Sequence, residues 1–319
     1  MVPARPLSIA GLLLAVLALA ACERAASPHP AADSAVLAAF QQAQAQWRAE
    51  RFAELTSPDG WTSLVGLHWL DPGAHRIGSA TDNGIRLAMG PAHLGVFTVR
   101  KGQARFVADT QVEIDGKHTR GGVLRSDKDD GGPDVLVFDE GKGQASVIER
   151  GGRLALRVKH ADADSRLRFT GLEHWPGGLD WQVPARFIAH PAGKTLPIVN
   201  IIGVTDEVPN PGALEFERDG KTYRLEALTD GADGLFLVFA DRTSGHGSYG
   251  AGRYIDAAAP DAQGRVLLDF NRAYNPPCAF TPFATCPLPP PENRLDLRVE
   301  AGERDYRKSK PAAHPEDRP

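Results

Sequence analysis

The chain has 319 residues, a formal net charge of −4 and 42% hydrophobic residues, enough apolar material for one large or two modest folded domains. Its mild negative charge and lack of a basic block give no electrostatic basis for binding nucleic acid, so no nucleic-acid partner is expected. The 33 glycines and 25 prolines interrupt the chain every few residues, which favours short strands joined by turns over long helices.

The chain begins with the features of an export signal. Arg5 precedes an unbroken run of apolar and small residues from 9 to 21, which is too short to span a bilayer as a mature helix. The run LAAC that ends at Cys22 resembles the lipobox of bacterial lipoproteins. This resemblance implies that residues 1–21 are a signal peptide and that Cys22 carries the lipid, with 22–32 as a linker. We therefore expect a cell-envelope protein anchored to the membrane by its lipid, on the outer membrane and facing the periplasm.

One amphipathic helix is predicted over residues 33–56, directly after the linker. Asp33 or Ser34 can cap its N-terminus, and apolar residues follow at roughly helical spacing. These apolar residues are Val36, Leu37, Phe40, Ala43, Trp47, Phe52 and Leu55. The helix is expected to lie across the folded body as a strap, or alternatively to bind an envelope protein.

The rest of the chain is predicted to be mainly β, in two β-rich lobes over residues 57–165 and 166–303, followed by a disordered tail at 304–319. In the first lobe, the segments HRIGSATDNGIRL and VEIDGKHT resemble the opening of a forkhead-associated β-sandwich. The loop of such modules that reads phosphothreonine needs a serine, whereas residues 90–93 are GPAH, so we do not expect phosphopeptide binding.

Two cysteines remain once Cys22 is assigned to the lipid. Cys278 and Cys286 form an even pair in an exported protein, which favours a disulfide across their short loop. Reduced structural thiols and a nucleophilic cysteine stay open as alternatives, while two cysteines alone are a poor zinc ligand set. The G-x-G-x-x-G spacing at 245–250 precedes a predicted strand rather than a helix, so no dinucleotide cofactor is expected. Because the cysteines are a poor ligand set, no metal is expected either.

A polar cluster surrounds these cysteines and is the candidate ligand-binding site. One interpretation is that its members hydrogen-bond backbone groups that the many prolines leave unpaired. The other is a pocket in which Arg253 or Arg294 binds an anionic group and Asp269 or Glu292 acts as acid or base. The candidate residues are Arg253, Tyr254, Asp269, Asn271, Tyr274, Asn275, Glu292, Asn293 and Arg294.

Four segments together resemble one bacterial family. They read GWTSLVGLHWL, HRIGSATDNGIRL, FADRTSGHGSYGAGRY and DFNRAYNPPCAFTPFATCPLPPPENRL, and the resemblance extends from about Phe52 to Glu303. They are similar to the uncharacterised proteins of the DUF1684 family, a resemblance that implies no established activity. The sequence thus predicts a lipid-anchored β-rich protein that binds a small or extended ligand near residues 253–294. A hydrolase using an Asp/Glu pair or Cys278 there, and a structural or assembly lipoprotein, are the alternatives.

Overall fold

The computed structural model describes residues 34–229 and 234–306. The predicted signal peptide, the linker with Cys22 and residues 307–319 of the predicted tail lie outside the described residues. Within the described ranges the chain is mainly β with one long helix at its start, which confirms the predicted fold class. No helix in these ranges is both long and apolar enough to cross a bilayer.

The first half of the described chain builds a nine-stranded sheet. Its spatial order is β1-β9-β8-β7-β5-β4-β2-β3, with β6 paired to β5. Phe97, Phe106 and Phe138 are buried in the core beneath it. The forkhead-associated-like arrangement of this half stays a prediction. The strands are β1 Leu64–Leu70, β2 Gly73–Gly78, β3 Ile85–Arg86, β4 Gly95–Arg100, β5 Gln103–Ile114, β6 Lys117–Leu124, β7 Leu136–Phe138, β8 Gly143–Arg150 and β9 Arg153–His160.

The second half, after the short helix α2 (Asp164–Leu167), contains a four-stranded sheet and two hairpins. The sheet order is β14-β13-β10-β17, and the hairpins pair β11 with β12 and β15 with β16. Phe216, Phe239 and Phe270 are at most 2% exposed and fill the core of this half. The strands are β10 Gln182–Ala189, β11 Thr195–Val199, β12 Thr205–Pro209, β13 Gly212–Arg218, β14 Lys221–Ala227, β15 Gly234–Phe239, β16 Arg253–Ala258 and β17 Arg265–Asp269.

The long helix α1 spans Ser34–Leu55, close to the predicted bounds, but its predicted apolar residues are only partly buried: Leu55 is buried, Phe40, Ala43 and Trp47 are half-buried, and the other three are exposed. Its buried residues are Gln44, Arg51 and Leu55. The predicted contacts Val36 and Leu37 are 53% and 41% exposed. The difference arises because α1 packs against polar groups of the C-terminal segment, so two of the three buried positions are hydrogen-bonding residues.

The first residues of the predicted tail are part of the fold. The backbone N–H of Arg304 donates to the Glu173 carbonyl at 2.9 Å, and Tyr306 is 8% exposed. The Tyr306 ring stacks on Phe169 at 5.4 Å between centroids and contacts Phe280 at 5.2 Å. These aromatic contacts fix the chain through residue 306.

Candidate functional site

The nine predicted binding residues separate into two groups according to what their side chains contact. Tyr254 and Tyr274 line a groove on the molecular surface. The other seven do not line it, and most of them hold irregular backbone segments together. The structure therefore does not bring Arg253, Asp269 and Glu292 into one pocket.

Arg253 is fully buried and binds the C-terminal segment of the fold. Its guanidinium donates to the carbonyl oxygens of Val299 at 3.0 Å and Glu303 at 3.3 Å, and also to that of Ala301. Asp241 Oδ1 lies 3.2 Å from Arg253 Nη2 and supplies the counter-charge. Burial lowers the pKa of Arg253, and the charge of Asp241 opposes that shift. Arg253 is thus a buried cross-link between β16 and the segment 299–303.

Asp269 and Asn271 connect β17 to two other parts of the chain. Asp269 caps the following turn by accepting from the Asn271 backbone N–H at 3.0 Å. Its other oxygen accepts from the side-chain amides of Gln44 on α1 and Gln182 on β10, both at 3.0 Å. The Asn271 amide exchanges two hydrogen bonds with the backbone of Gly178, each 2.9 Å long. Both side chains are committed to holding the fold.

Two further asparagines hydrogen-bond backbone carbonyls of distant segments through their side chains. The Asn275 side chain donates to the Arg304 carbonyl at 2.7 Å. Asn293 is 0% exposed, and its amide donates to the carbonyls of Glu226 and Val238, each at 2.9 Å. Pairing buried backbone groups in this way is what an irregular, proline-rich segment requires. Of the two interpretations of the polar cluster, these contacts agree with hydrogen bonding to unpaired backbone.

Glu292 and Arg294 lie on the surface, away from the groove. Arg294 makes one long hydrogen bond, from Nη2 to the Pro289 carbonyl at 3.4 Å. Their neighbour Asn293, at the end of the short 3-10 helix Pro291–Asn293, is buried and points inward. The predicted pairing of Arg294 with Glu292 around a ligand has no counterpart in the geometry.

The predicted disulfide between Cys278 and Cys286 is not found: in the described part of the chain both side chains are thiols, each 4% exposed. The backbone N–H of Cys278 donates to Cys286 Sγ at 3.0 Å. The hydrogen bond between the two thiols, together with burial, raises the pKa of Cys286. The segment is held instead by tyrosine hydroxyls. That of Tyr249 donates to the Cys278 carbonyl at 3.1 Å, and that of Tyr254 to the Pro287 carbonyl at 2.9 Å.

Thiol counting tests this arrangement directly. A Cys22→Ser chain, purified without reductant, should present two thiols to a colorimetric thiol reagent after non-reducing denaturation. In the native state both should react at least about 100-fold more slowly, because reaction needs an exposed thiolate. A count of zero after non-reducing denaturation would show that the two cysteines are paired in a disulfide.

A groove of about 520 Å³ lies between α1 and the β15–β16 hairpin. Its lining combines aromatic rings with two carboxylates and one guanidinium. The size suits a small-molecule ligand. The lining residues are Trp47, Arg51, Glu54, Trp61, Gly234, Leu235, Phe236, Tyr254, Asp256, Ala257, Tyr274 and Pro277.

The helix side of the groove is formed by Trp47, Arg51 and Glu54, which share one face of α1 because they are spaced by four and three residues. The position of α1 is fixed at both ends of this face. Gln44 is anchored to Asp269, as described above, and Leu55 is fully buried in a cluster with aromatic residues. The three groove residues are therefore carried by a helix that is tied to the body of the protein.

The Arg51 guanidinium is held by groups of the protein itself through each of its three nitrogens. Its Nε donates to Glu303 Oε1 at 3.1 Å, and its Nη2 donates to the Asn275 carbonyl at 3.0 Å. Its Nη1 donates to Glu54 Oε2 at 3.3 Å, and its Cζ lies 4.6 Å from the centroid of the Tyr274 ring. Burial raises the pKa of Glu303, and the charge of Arg51 opposes that shift. Three of the five N–H groups of Arg51 thus join α1 to the C-terminal segment and to Glu54, and the charge of Arg51 is paired with the Glu303 and Glu54 carboxylates.

The hairpin side of the groove follows from strand alternation. In the β15–β16 register, Phe236 is opposite Asp256 and Val238 is opposite Tyr254, so these side chains lie on one face. Leu237 and its cross-strand partner lie on the other face, in the core. Neighbouring residues of one strand therefore have different roles: Tyr254, 4% exposed, borders the groove, whereas Arg253 before it is fully buried on the opposite face.

The groove carries two carboxylates that face solvent. The Glu54 side chain is 63% exposed, and Asp256 is exposed as well. The Tyr274 hydroxyl is hydrogen-bonded to Asp256. Burial raises the pKa of Tyr274, the Asp256 and Glu54 carboxylates raise it further, and Arg51 opposes them. Both carboxylates thus act on the same hydroxyl, which places their negative charge in one part of the groove.

Residues 167–304 match the model of a family described as a protein of unknown function, DUF1684. The chain belongs to the DUF1684 family. A solution NMR structure of an uncharacterized protein of Haloarcula marismortui is 34% identical over 44% of this chain and 78% of that one, with a TM-score of 0.36. No curated protein matches the chain.

The DUF1684 match covers only one side of the groove. Phe236, Tyr254, Asp256 and Tyr274 lie within the matched residues, whereas α1 and Trp61 precede them. The groove of this DUF1684 protein is therefore shared between the matched region and the N-terminal part of the chain.

The sequence identified Tyr254 and Tyr274 but missed the rest of the groove. Trp47 is one of the apolar residues that predict α1, and no motif in the sequence assigns a role to Arg51 or Glu54. A signal was present, since a tryptophan, an arginine and a glutamate follow one another at helical spacing. Asp256 was detectable through its alternation with Tyr254 on one strand.

Proposed function

We propose that this DUF1684 protein is a lipid-anchored protein of the cell envelope that binds a small organic cation in the groove between α1 and the β15–β16 hairpin. The lipobox-like sequence that ends at Cys22 supports the anchor and the location. The observation that carries the ligand proposal is the lining of the groove, in which solvent-facing carboxylates stand among aromatic rings.

The charge of the groove favours a cation over an anion. Arg51, its basic residue, already donates through all three of its nitrogens. An anion would approach the exposed carboxylates of Glu54 and Asp256, and the charge of Arg51 that could attract it is already paired with Glu54 and Glu303. A cation would meet two exposed negative charges, and aromatic faces attract cations through their quadrupole. Arg51 over the Tyr274 ring is one such contact within the protein itself.

A pair of probes of equal shape tests this proposal. Isothermal titration calorimetry on the purified mature chain would compare phenethylammonium with its neutral analogue 2-phenylethanol. We expect saturable binding of phenethylammonium, at least about tenfold tighter than that of the alcohol, which corresponds to about 1.4 kcal/mol. Equal affinity for the two probes would contradict the cationic class, and binding of neither would contradict the groove as a site for small aromatic amines.

Variants of the two carboxylates locate the binding. Asp256→Asn and Glu54→Gln should each weaken phenethylammonium binding about three- to tenfold, since each removes one partly exposed charge. Glu300→Gln is the control, because Glu300 is about half exposed, pairs with Arg298 and does not line the groove. Unchanged affinity in both groove variants would place the binding site elsewhere.

A hydrolase is the second candidate, because the charges of Glu54 and Asp256 act on one hydroxyl within a single groove. Paired carboxylates in such a setting are suited to general acid–base chemistry. A nucleophilic role for Cys278 has less support, since its thiol is buried and is hydrogen-bonded to Cys286. Turnover of p-nitrophenyl esters or glycosides that both Asp256→Asn and Glu54→Gln abolish would favour the hydrolase. If neither substrate is turned over, ligand binding without catalysis is the better supported of the two functions.

A further inference from the structure

We infer that the chain has a second site, separate from the groove, that binds a small oxyanion such as a phosphate or carboxylate group. The site is a cavity of about 270 Å³ on the outer face of strands β8 and β9. Arg157 and Lys159 supply its positive charge, and Gln144 and Ser146 supply neutral polar groups.

The strand register brings these four side chains together. Gln144 is directly opposite Lys159, and Ser146 is directly opposite Arg157, in the antiparallel β8–β9 pair. Directly opposed residues of one face are close enough for their side chains to interact. The intervening residues, including Val158, point to the other face and lie in the hydrophobic core. Two cationic and two neutral polar side chains therefore cluster on the outer face of the sheet, opposite the face that packs on the core.

Arg157 has no partner for its buried nitrogen. Within residues 34–229 and 234–306, its Nε is buried without a hydrogen-bond partner. Its positive charge is not neutralised by an ion pair in the same ranges, in contrast to Arg51 and Arg253. Burial lowers the pKa of Arg157, and the charge of Arg150 lowers it further, whereas Asp127 opposes the shift. A partly desolvated guanidinium without an ion pair reduces the free energy of unfolding, and a bound oxyanion would restore that stability by pairing with its charge.

Lys159 adds a second cation beside the first. Its ammonium donates to the backbone carbonyl of Asp59 and not to the Asp59 carboxylate. The Asp59 carboxylate, which also lines the cavity, accepts from the Ser57 hydroxyl. Burial lowers the pKa of Lys159, Asp59 opposes this, and the neighbouring charge of Arg157 lowers it further. The two cations therefore repel each other where burial limits their contact with water. An anion bound between them would offset this repulsion.

Trp61 positions both cations. Arg157 Cζ and Lys159 Nζ each lie 5.3 Å from the Trp61 ring centroid. A ring face orients a guanidinium or an ammonium without neutralising it. The hydrogen-bonding capacity of Arg157, which fits planar carboxylates and phosphates, thus remains available to a ligand.

Thermal unfolding of the mature chain in inorganic phosphate, at ionic strength held constant with chloride, tests the inference. Phosphate at about ten times its dissociation constant should raise the unfolding midpoint by about 2–4 °C. Acetate in a parallel titration distinguishes a carboxylate ligand from a phosphate ligand. If neither anion shifts the midpoint up to about 50 mM, the site does not bind oxyanions.

Two arginines of β9 provide the decisive comparison. Arg157→Gln should abolish the anion-induced shift, and without anions it should unfold at the same or a higher temperature than the wild type. Arg153→Gln is the control, because Arg153 is exposed on the same strand and pairs with Asp71. A shift that persists in Arg157→Gln, or an Arg157→Gln chain destabilised without anions, would show that Arg157 is a structural residue and overturn the inference.

Discussion

Arg253→Ala should lower the free energy of unfolding by about 3–5 kcal/mol, the largest effect expected for any single substitution among the predicted binding residues. Arg253 is 0% exposed and donates to three backbone carbonyls of the segment 299–303. Its removal leaves these carbonyls unpaired and leaves the Asp241 carboxylate, whose side chain is 0% exposed, without its counter-charge. Urea-induced unfolding followed by circular dichroism measures the loss.

Two further variants test whether the hydrogen bonds of Arg253, and not only its charge, stabilise the fold. Arg253→Lys keeps the charge but has a single nitrogen for several acceptors, so its stability should fall between those of the wild type and Arg253→Ala. Arg294→Ala is the control, since Arg294 is exposed and makes one hydrogen bond of 3.4 Å. Its loss should change the free energy of unfolding by less than about 0.5 kcal/mol. An Arg253→Ala chain within about 1 kcal/mol of the wild type would show that Arg253 is not a structural cross-link.

His174 should make the protein less stable in acid. Burial lowers its pKa to about 4, and the charge of Arg48 lowers it further, while a backbone hydrogen bond at Leu172 opposes the shift. Its ring lies 6.4 Å from that of Trp47 on α1, and its Nε2 is buried without a partner among the described residues. The folded state therefore keeps the imidazole neutral, whereas the unfolded chain protonates it near pH 6.5.

The sign of the effect follows from proton binding. Between pH 6.5 and about 4 the unfolded state binds more protons at this site, so stability rises with pH in that window and is lost as the pH falls. The wild type should lose about 2–3 kcal/mol more than His174→Gln between pH 7 and pH 4. His246→Gln, which replaces an exposed histidine, should follow the wild type. Parallel stability curves for the wild type and His174→Gln would contradict the assignment.

Much of the architecture was predictable because local signals set it. The frequent glycine and proline residues predicted short strands, and a capping residue followed by helical periodicity predicted the bounds of α1. The buried face of α1 was not predictable in this way. Its partners lie far along the chain, as in the pair of Arg51 and Glu303, 252 residues apart. A polar helix face that packs against a polar segment also has no apolar pattern to reveal it.

The candidate site was predicted less well than the fold, for a related reason. Arg253 and Tyr254 are adjacent in sequence and were grouped together, although strand alternation sends one to the core and the other to the groove. Asn275 and Asn293 were also grouped with the ligand residues. Their bonds to carbonyls agree with the other interpretation, that the polar cluster supports a backbone rich in proline. A residue that hydrogen-bonds the backbone can be distinguished from one that binds a ligand only when it is known which backbone groups lack partners. That information depends on the tertiary structure.

Binding of a cation in the groove between α1 and the β15–β16 hairpin can be followed through the tryptophan indole signals in an NMR titration. The chain has five tryptophans, and of these Trp47 and Trp61 line the groove. Titration with phenethylammonium should shift the indole N–H signals of Trp47 and Trp61 and leave those of Trp69, Trp175 and Trp181 in place. Shifts confined to the other three tryptophans, or no shift at saturating probe, would contradict the groove as the binding site.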